Sequence, residues 1–286
     1  MSPNQQLKRE AKFQLRGHWP QALAVTAVYL TATLFFAVLQ EGLLVLTGVI
    51  PLKAALGEIQ IAQLPHPPLT FIINSVVTVF RLVLLAPLVL GIVKWFFRRA
   101  QGEEISVSVL FEYYSSGEQF VRSLAFLAHG LVRVLAWGCV SFLPGGLCLA
   151  AAAYQRRSFA HYAAAGVLEP LGLVFLGLGI LLFIPMMLRL FLAPFLFVED
   201  SSLSAGMSFR LSVQKMRFFR GHLFSLICSF LGWLVLCLFS FPLLYVFPYF
   251  AAALSNSAKW ILFENHRAEE ANAYYREQAQ SWGRPM

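Results

Sequence analysis

Charged residues make up only 13% of this 286-residue chain, about half the share found in an ordinary globular domain. Aspartate occurs once, as Asp200. With 58% of residues hydrophobic, too little polar side chain remains to cover a globule, which excludes an ordinary water-soluble fold. The four cysteines (Cys139, Cys148, Cys228, Cys237) all lie in apolar stretches, so neither a disulfide framework nor a thiolate metal site is expected. The chain also lacks a Gly-x-x-x-x-Gly-Lys phosphate loop, a His-Glu-x-x-His pair and a Gly-x-Ser-x-Gly elbow, the sequence carriers of nucleotide, zinc and serine chemistry. A non-enzymatic protein with no cofactor is expected. What is abundant is apolar: 27 Phe and a mean hydropathy of +0.67. The bilayer is the solvent this composition calls for.

A helix needs about 20 mainly apolar residues to cross about 30 Å of hydrocarbon. Trp19 to Ile50 carries only Glu41, Leu69 to Val93 only Arg81, Leu124 to Tyr154 only Arg133, Pro170 to Val198 only Arg189, and Leu223 to Ala258 no charge. The last run is too long for one crossing and holds Pro242 and Pro248, so it divides near Phe241. The alternative is one long kinked helix over residues 223–263. The divided reading gives an all-α integral membrane fold of six transmembrane helices in a single membrane domain.

Lysine and arginine are sorted between the connections. Sixteen fall in the N-terminal segment, the second and fourth connections and the tail; three, Lys53, Arg156 and Arg157, fall on the other side. Cationic connections stay cytoplasmic, which predicts cytoplasmic termini in a bacterial inner membrane and a tail, residues 264–286, on that side. The first 18 residues have five charges and no apolar core, unlike a cleavable signal. A formal charge of +8 then reads as contact with anionic headgroups. Nucleic acid is not expected as a partner, because the cations follow membrane boundaries and no nucleic-acid module is present.

Weak repetition runs through the chain. Arg16-Gly17-His18 opens the first span and Arg220-Gly221-His222 the fifth. Each follows an amphipathic stretch, Leu7, Ala11 and Leu15 in one case and Leu203, Met207 and Leu211 in the other, then Phe218; Leu110, Phe111 and Tyr114 form a middle copy leading to Gly117. Apolar stripes with basic opposite faces lie in membrane interfaces, and the glycines are expected to end those helices in a left-handed cap. An arginine followed by Ala-Pro recurs as Arg81 to Pro87 and Arg189 to Pro194. Three units of interfacial helix plus transmembrane pair are predicted, roughly 1–100, 101–200 and 201–286.

Three blocks carry a family resemblance: Leu7-Lys8-x-x-Ala11-Lys12-x-x-Leu15-x-Gly17-x-Trp19; Phe142-Leu143-Pro144-Gly145-Gly146; and Leu223-Phe224-x-Leu226-x-x-Ser229-Phe230-x-Gly232-Trp233 with Pro248-Tyr249. On these the chain resembles the bacterial integral-membrane family called domain-of-unknown-function family 975. The resemblance implies a six-span membrane protein and no assigned activity.

Charge inside the spans is the anomaly that points to a site. An arginine at a helix centre costs about 2.5–3.5 kcal/mol on insertion scales, and Arg81, Arg133 and Arg189 face only one comparably placed acid, Glu41. Backbone carbonyls freed by Pro87 and Pro194, cavity water, or an anionic amphiphile would each answer the surplus; snorkelling to the interface is the simpler account. His129 lies one helical turn before Arg133, on the same face. Arg81, Arg133, Arg189, Glu41 and His129 are therefore the candidate ligand-binding residues. Gly172, Gly177 and Gly179 are expected to permit close helix approach, and Ser201, Ser202, Ser204, Ser208 and Ser212 to serve packing or solvation. His66 has too few companions for a metal site. The expected partners are membrane lipids, with a membrane protein or a second copy as further partner, and the expected role is a lipid- or partner-binding scaffold. A transporter for an anionic or amphiphilic substrate is the alternative.

Overall fold

The structure is a computed structural model that describes residues 3–51, 67–157, 162–237 and 243–282. Every regular element among them is helical: α1 (Pro3–Leu15), α2 (Trp19–Leu46), α3 (Pro67–Ala100), a 3-10 helix (Val107–Tyr114), α4 (Gly117–Arg157), α5 (Tyr162–Arg189), α6 (Ala193–Glu199), α7 (Ala205–Lys215), α8 (Arg220–Cys228), α9 (Leu231–Leu236) and α10 (Leu243–Trp282). Four stretches are long and apolar enough to cross a membrane: Trp19–Leu46, Pro68–Ala100, Gly117–Arg156 and Gly166–Glu199. They answer the first four predicted runs. The division near Phe241, the loop carrying Lys53 and His66, and the side chains of the predicted tail lie outside the described residues.

The chain packs as two compact units. The unit of Gln5–Leu124 and Gly232–Asn256 holds α1 to α3 and the 3-10 helix. On α1 the stripe Leu7, Ala11 and Leu15 is buried, and Gly17 ends the helix at φ +85°, a conformation that side chains with a Cβ adopt at a cost. Gln40 of α2 donates to the Asn74 side chain of α3 at 3.0 Å, pairing two amides inside apolar surroundings. The 3-10 helix lies on α3. Leu88, Gly91 and Trp95 of α3 are buried at helical spacing, and at Gly91 the Leu110 main chain comes so close that only a hydrogen fits. Lys94 grips both oxygens of Glu112 at 2.7 Å, and the Tyr114 hydroxyl donates to the Leu84 carbonyl. Pro87 sits inside α3 without ending it. At the start of α2, Trp19 stacks on Tyr245 with centroids 4.6 Å apart.

The other unit, Met1–Asn4, Ala125–Leu231 and Ser257–Met286, is built on the α4–α5 pair. A Cβ at Gly145 or Gly172 would press on Leu176 or Leu149, and one at Gly179 would overlap the Ser141 carbonyl. Gly172 and Gly179 thus permit the approach expected of them, while Gly177 faces open space. Contacts at 141/179, 145/176 and 149/172 make the pair antiparallel, and Phe142 packs on Phe183 beside them.

The two Ala-Pro echoes end differently. In α3 the helix runs through Pro87, held by buried Leu85, Leu88 and Leu90. After Arg189 the chain breaks, and α6 restarts with proline in its first turn, where the missing N–H costs nothing.

Candidate functional site

The candidate residues divide between the two units. Arg133 and His129 stand on α4, Arg189 ends α5, and all three meet α7. That short helix begins at Ser204, whose hydroxyl accepts from the Met207 amide, a standard N-cap. Its inward residues recur every third position. Gly206 lies against the His129 imidazole, which a Cβ there would meet at 3.5 Å, an ordinary contact distance. The Phe209 ring lies 4.6 Å beneath the Arg133 guanidinium and stacks on Phe126 at 4.8 Å. Ser212 donates to the Arg189 carbonyl at 2.7 Å.

Arg133 therefore has partners without any ligand. It donates to the His129 carbonyl at 2.9 Å and rests on an aromatic face, an arrangement worth about 0.5–2 kcal/mol. His129 Nδ1 lies 2.9 Å from the Ala125 carbonyl; since a carbonyl only accepts, Nδ1–H is the donor. The bond stays within α4, one turn back along the same helix. Arg189 differs: its Nε is buried with no hydrogen-bond partner among the described residues.

Glu41 and Arg81 stand on α2 and α3, both exposed. Among the described residues neither forms an ion pair, and no three His, Cys, Asp or Glu side chains gather as a metal site. Of the five candidate residues, the structure brings His129, Arg133 and Arg189 to α7.

The face of α7 also departs from the sequence pattern. Its buried residues are Ala205, Ser208, Phe209 and Ser212, whereas Met207 is half-exposed and Phe218 is 81% exposed. Of the apolar stripe read from Leu203, Met207 and Leu211, Met207 is exposed and the two leucines are only half-buried, so that stripe is not the buried face. The serines pack inward, their hydroxyls returned to carbonyls: Ser208 to Ser204 at 3.1 Å and Ser212 to Arg189. In the middle copy, Leu110 is buried while Phe111 is 52% exposed, and Gly117 opens α4 instead of closing the 3-10 helix.

Sequence reasoning passed over Arg220, counted only as a cytoplasmic cation. A cavity of about 300 Å³ opens between α5 and α8, with Arg220 in its wall. Next to it the His222 ring packs on Trp260 with centroids 4.8 Å apart, and Phe219 meets the same indole edge-on. Burial holds the His222 imidazole below its ordinary value. The echo Arg16-Gly17-His18 against Arg220-Gly221-His222 was the available signal, because it marked the position as more than a loop charge.

The model of the family described as protein of unknown function (DUF975) matches residues 1–259. The chain belongs to that family. The match covers most of the DUF975 protein described above, from α1 into α10. No curated protein and no solved structure matches it.

Proposed function

We propose that this DUF975 member is a multi-pass protein of the bacterial inner membrane, with both termini cytoplasmic, that acts without catalysis as a lipid- or partner-binding scaffold. The observation that carries the reading is the outward face of the long helices. On α5 alone Leu173, Val174, Leu181 and Leu182 are each 58–68% exposed. Leaving such a side chain in water rather than burying it costs about 1.5–3 kcal/mol, whereas hydrocarbon receives it freely. Backbone groups at that depth are satisfied within helices, as lipid requires. Arg133 supports the non-catalytic part, since its geometry is spent on Phe209 and the His129 carbonyl.

The experiment is carbonate extraction of membranes containing the full chain, followed by native mass spectrometry of the detergent-purified protein. The chain should stay with the membrane and carry phospholipid into the gas phase. Release by carbonate, or a bare protein under conditions that keep lipid on other membrane proteins, would overturn the reading. A C-terminal green-fluorescent fusion should fluoresce and a C-terminal alkaline-phosphatase fusion should be inactive; the reverse removes the orientation.

The transporter alternative draws on the break at 190–192 beside the unpartnered Arg189 Nε. Flux of an anionic solute into proteoliposomes, absent from empty vesicles, would put it in place of the scaffold.

A further inference from the structure

The cavity between α5 and α8 has two unlike ends. Leu181, Ile184, Pro185 and Leu188 form one wall and Phe224 the facing one, with Arg220 and Gly221 at the end where α8 begins. From Leu181 to Leu188 is two helical turns, about 10 Å along α5. Leu181 and Phe224 are exposed, so the groove opens to whatever surrounds the helices. Every lining side chain but one is apolar, and the exception is a cation.

Arg220 Nε is buried without a hydrogen-bond partner among the described residues, and no carboxylate lines the cavity. A second guanidinium, that of Arg189, follows Leu188 directly and shows the same unpartnered Nε. Phe219, His222 and Trp260 cluster at this end of α8, the aromatic company that marks the headgroup level of a bilayer. The end of the groove that holds Arg220 thus lies beside an aromatic cluster of the headgroup kind, and the rest of it is an apolar slot.

We infer that the groove binds an anionic phospholipid, its phosphate on Arg220 and one acyl chain along Leu188, Pro185, Ile184 and Leu181. The charge selects the class. A zwitterionic headgroup brings an amine for which the lining holds no acceptor acid, while an anionic one meets guanidinium alone. The volume selects a chain, since about 300 Å³ has room for a length of hydrocarbon tail and not for a helix. Gly221 lines the same end without a side chain, and a Cβ there would meet nothing within 4 Å. This inference rests on the lipid-binding reading above and gives it a site and a ligand class.

The test uses the full chain, delipidated in detergent and titrated with palmitoyl-oleoyl phosphatidylglycerol under native mass spectrometry. Phosphatidylcholine with the same tails and glycerol 1-phosphate are the comparators. Arg220→Gln removes the charge. Gly221→Leu fills the mouth and keeps the charge, and its side chain has space to fold around. Arg220→Lys restores a cation, and Arg217→Gln removes an exposed neighbouring one. Phosphatidylglycerol affinity should fall about tenfold in Arg220→Gln, as expected for losing a hydrogen bond to a charged group, and comparably in Gly221→Leu. Arg220→Lys should recover most of the loss, Arg217→Gln should bind as the unaltered chain does, and phosphatidylcholine should bind more weakly than phosphatidylglycerol. The inference is overturned if either Arg220→Gln or Gly221→Leu binds normally, if the two lipids bind alike, or if glycerol phosphate binds as well as the lipid. Lipid retained but indifferent to both variants removes this site and leaves the scaffold reading standing; no lipid retained by the unaltered chain removes both.

Discussion

Replacing Gly91 by alanine should be among the most damaging small changes this protein can suffer. The added methyl would lie 2.7 Å from both the Cα and the carbonyl carbon of Leu110, and nearer still to its oxygen. These are main-chain atoms, so no rotamer change relieves the overlap. Either α3 bends or the 3-10 helix lifts. Overpacking of this kind costs about 1–3 kcal/mol. Lifting the 3-10 helix also strains the Tyr114 hydrogen bond to Leu84, worth about 1 kcal/mol, and the half-buried Lys94–Glu112 pair, worth less than that with its solvent screening. The expected total is about 2–4 kcal/mol. Gly42 on α2 is the control, since a Cβ there meets nothing within 4 Å and alanine is the better helix former by about 1 kcal/mol. Thermal unfolding of both variants in the same detergent, with amide exchange over residues 107–114, reads the difference. Gly91→Ala should unfold at lower temperature with faster exchange in the 3-10 helix, and Gly42→Ala should match or exceed the unaltered chain. Equal stability of the two variants would refute the packing argument.

Arg133→Leu should lower thermal stability by about 1–2 kcal/mol, the worth of its place over Phe209, while Arg81→Leu, with no partner to lose, should leave stability unchanged or raise it; the reverse order in a detergent melt would show that Arg81 has the structural role. His222 has its proton affinity depressed by burial, so its contribution is intact above the ordinary value near 6.5 and declines as pH falls from there through the folded-state value. In His222→Gln that part of the acid-side decline should vanish from melting temperatures recorded over about pH 7.5 to 4.5; an unchanged slope counts against the burial. Tyr113 is pushed up to about 12 by burial first, with Glu112 adding and Arg122 opposing. Its contribution is complete below pH 10 and lost as pH rises through about 12, so Tyr113→Phe should flatten the decline in melting temperature recorded in a separate alkaline series over about pH 9 to 12; an unchanged decline counts against its burial.

Long apolar runs made α2 to α5 legible, because lipid-facing and core-facing positions are both apolar and only length is needed to recognise a crossing. The same property hid which face packs inward. On α7 two serines, Ser208 and Ser212, are buried beside Ala205 and Phe209 while Met207 is exposed, a mixed face that follows once small side chains set helix separation and hydroxyls are returned to carbonyls. On α1 the ordinary pattern holds, since Leu7, Ala11 and Leu15 are buried and Lys8, Arg9 and Lys12 are not. The Ala-Pro echo shows where local sequence stops deciding. One proline is carried through by packing and the other starts a new helix, and only the neighbours differ. Among the candidate residues, charge inside the apolar runs drew attention to Arg133 and Arg189, but their common contact with α7 depended on a helix whose inward face could not be read. Arg220 escaped because a cation at a predicted boundary is the commonest thing in a membrane sequence; its distinction is the empty space beside it.

The crossing of α4 and α5 limits any account of movement through this molecule. Where Gly179 meets Ser141, one polypeptide trace rides directly on the other with hydrogen atoms as the only spacers, so the seam at that depth is shut to water, to ions and to hydrocarbon alike. A route for any solute has to run outside that seam, and prising it open would mean separating two backbones instead of swinging aside a few flexible gates.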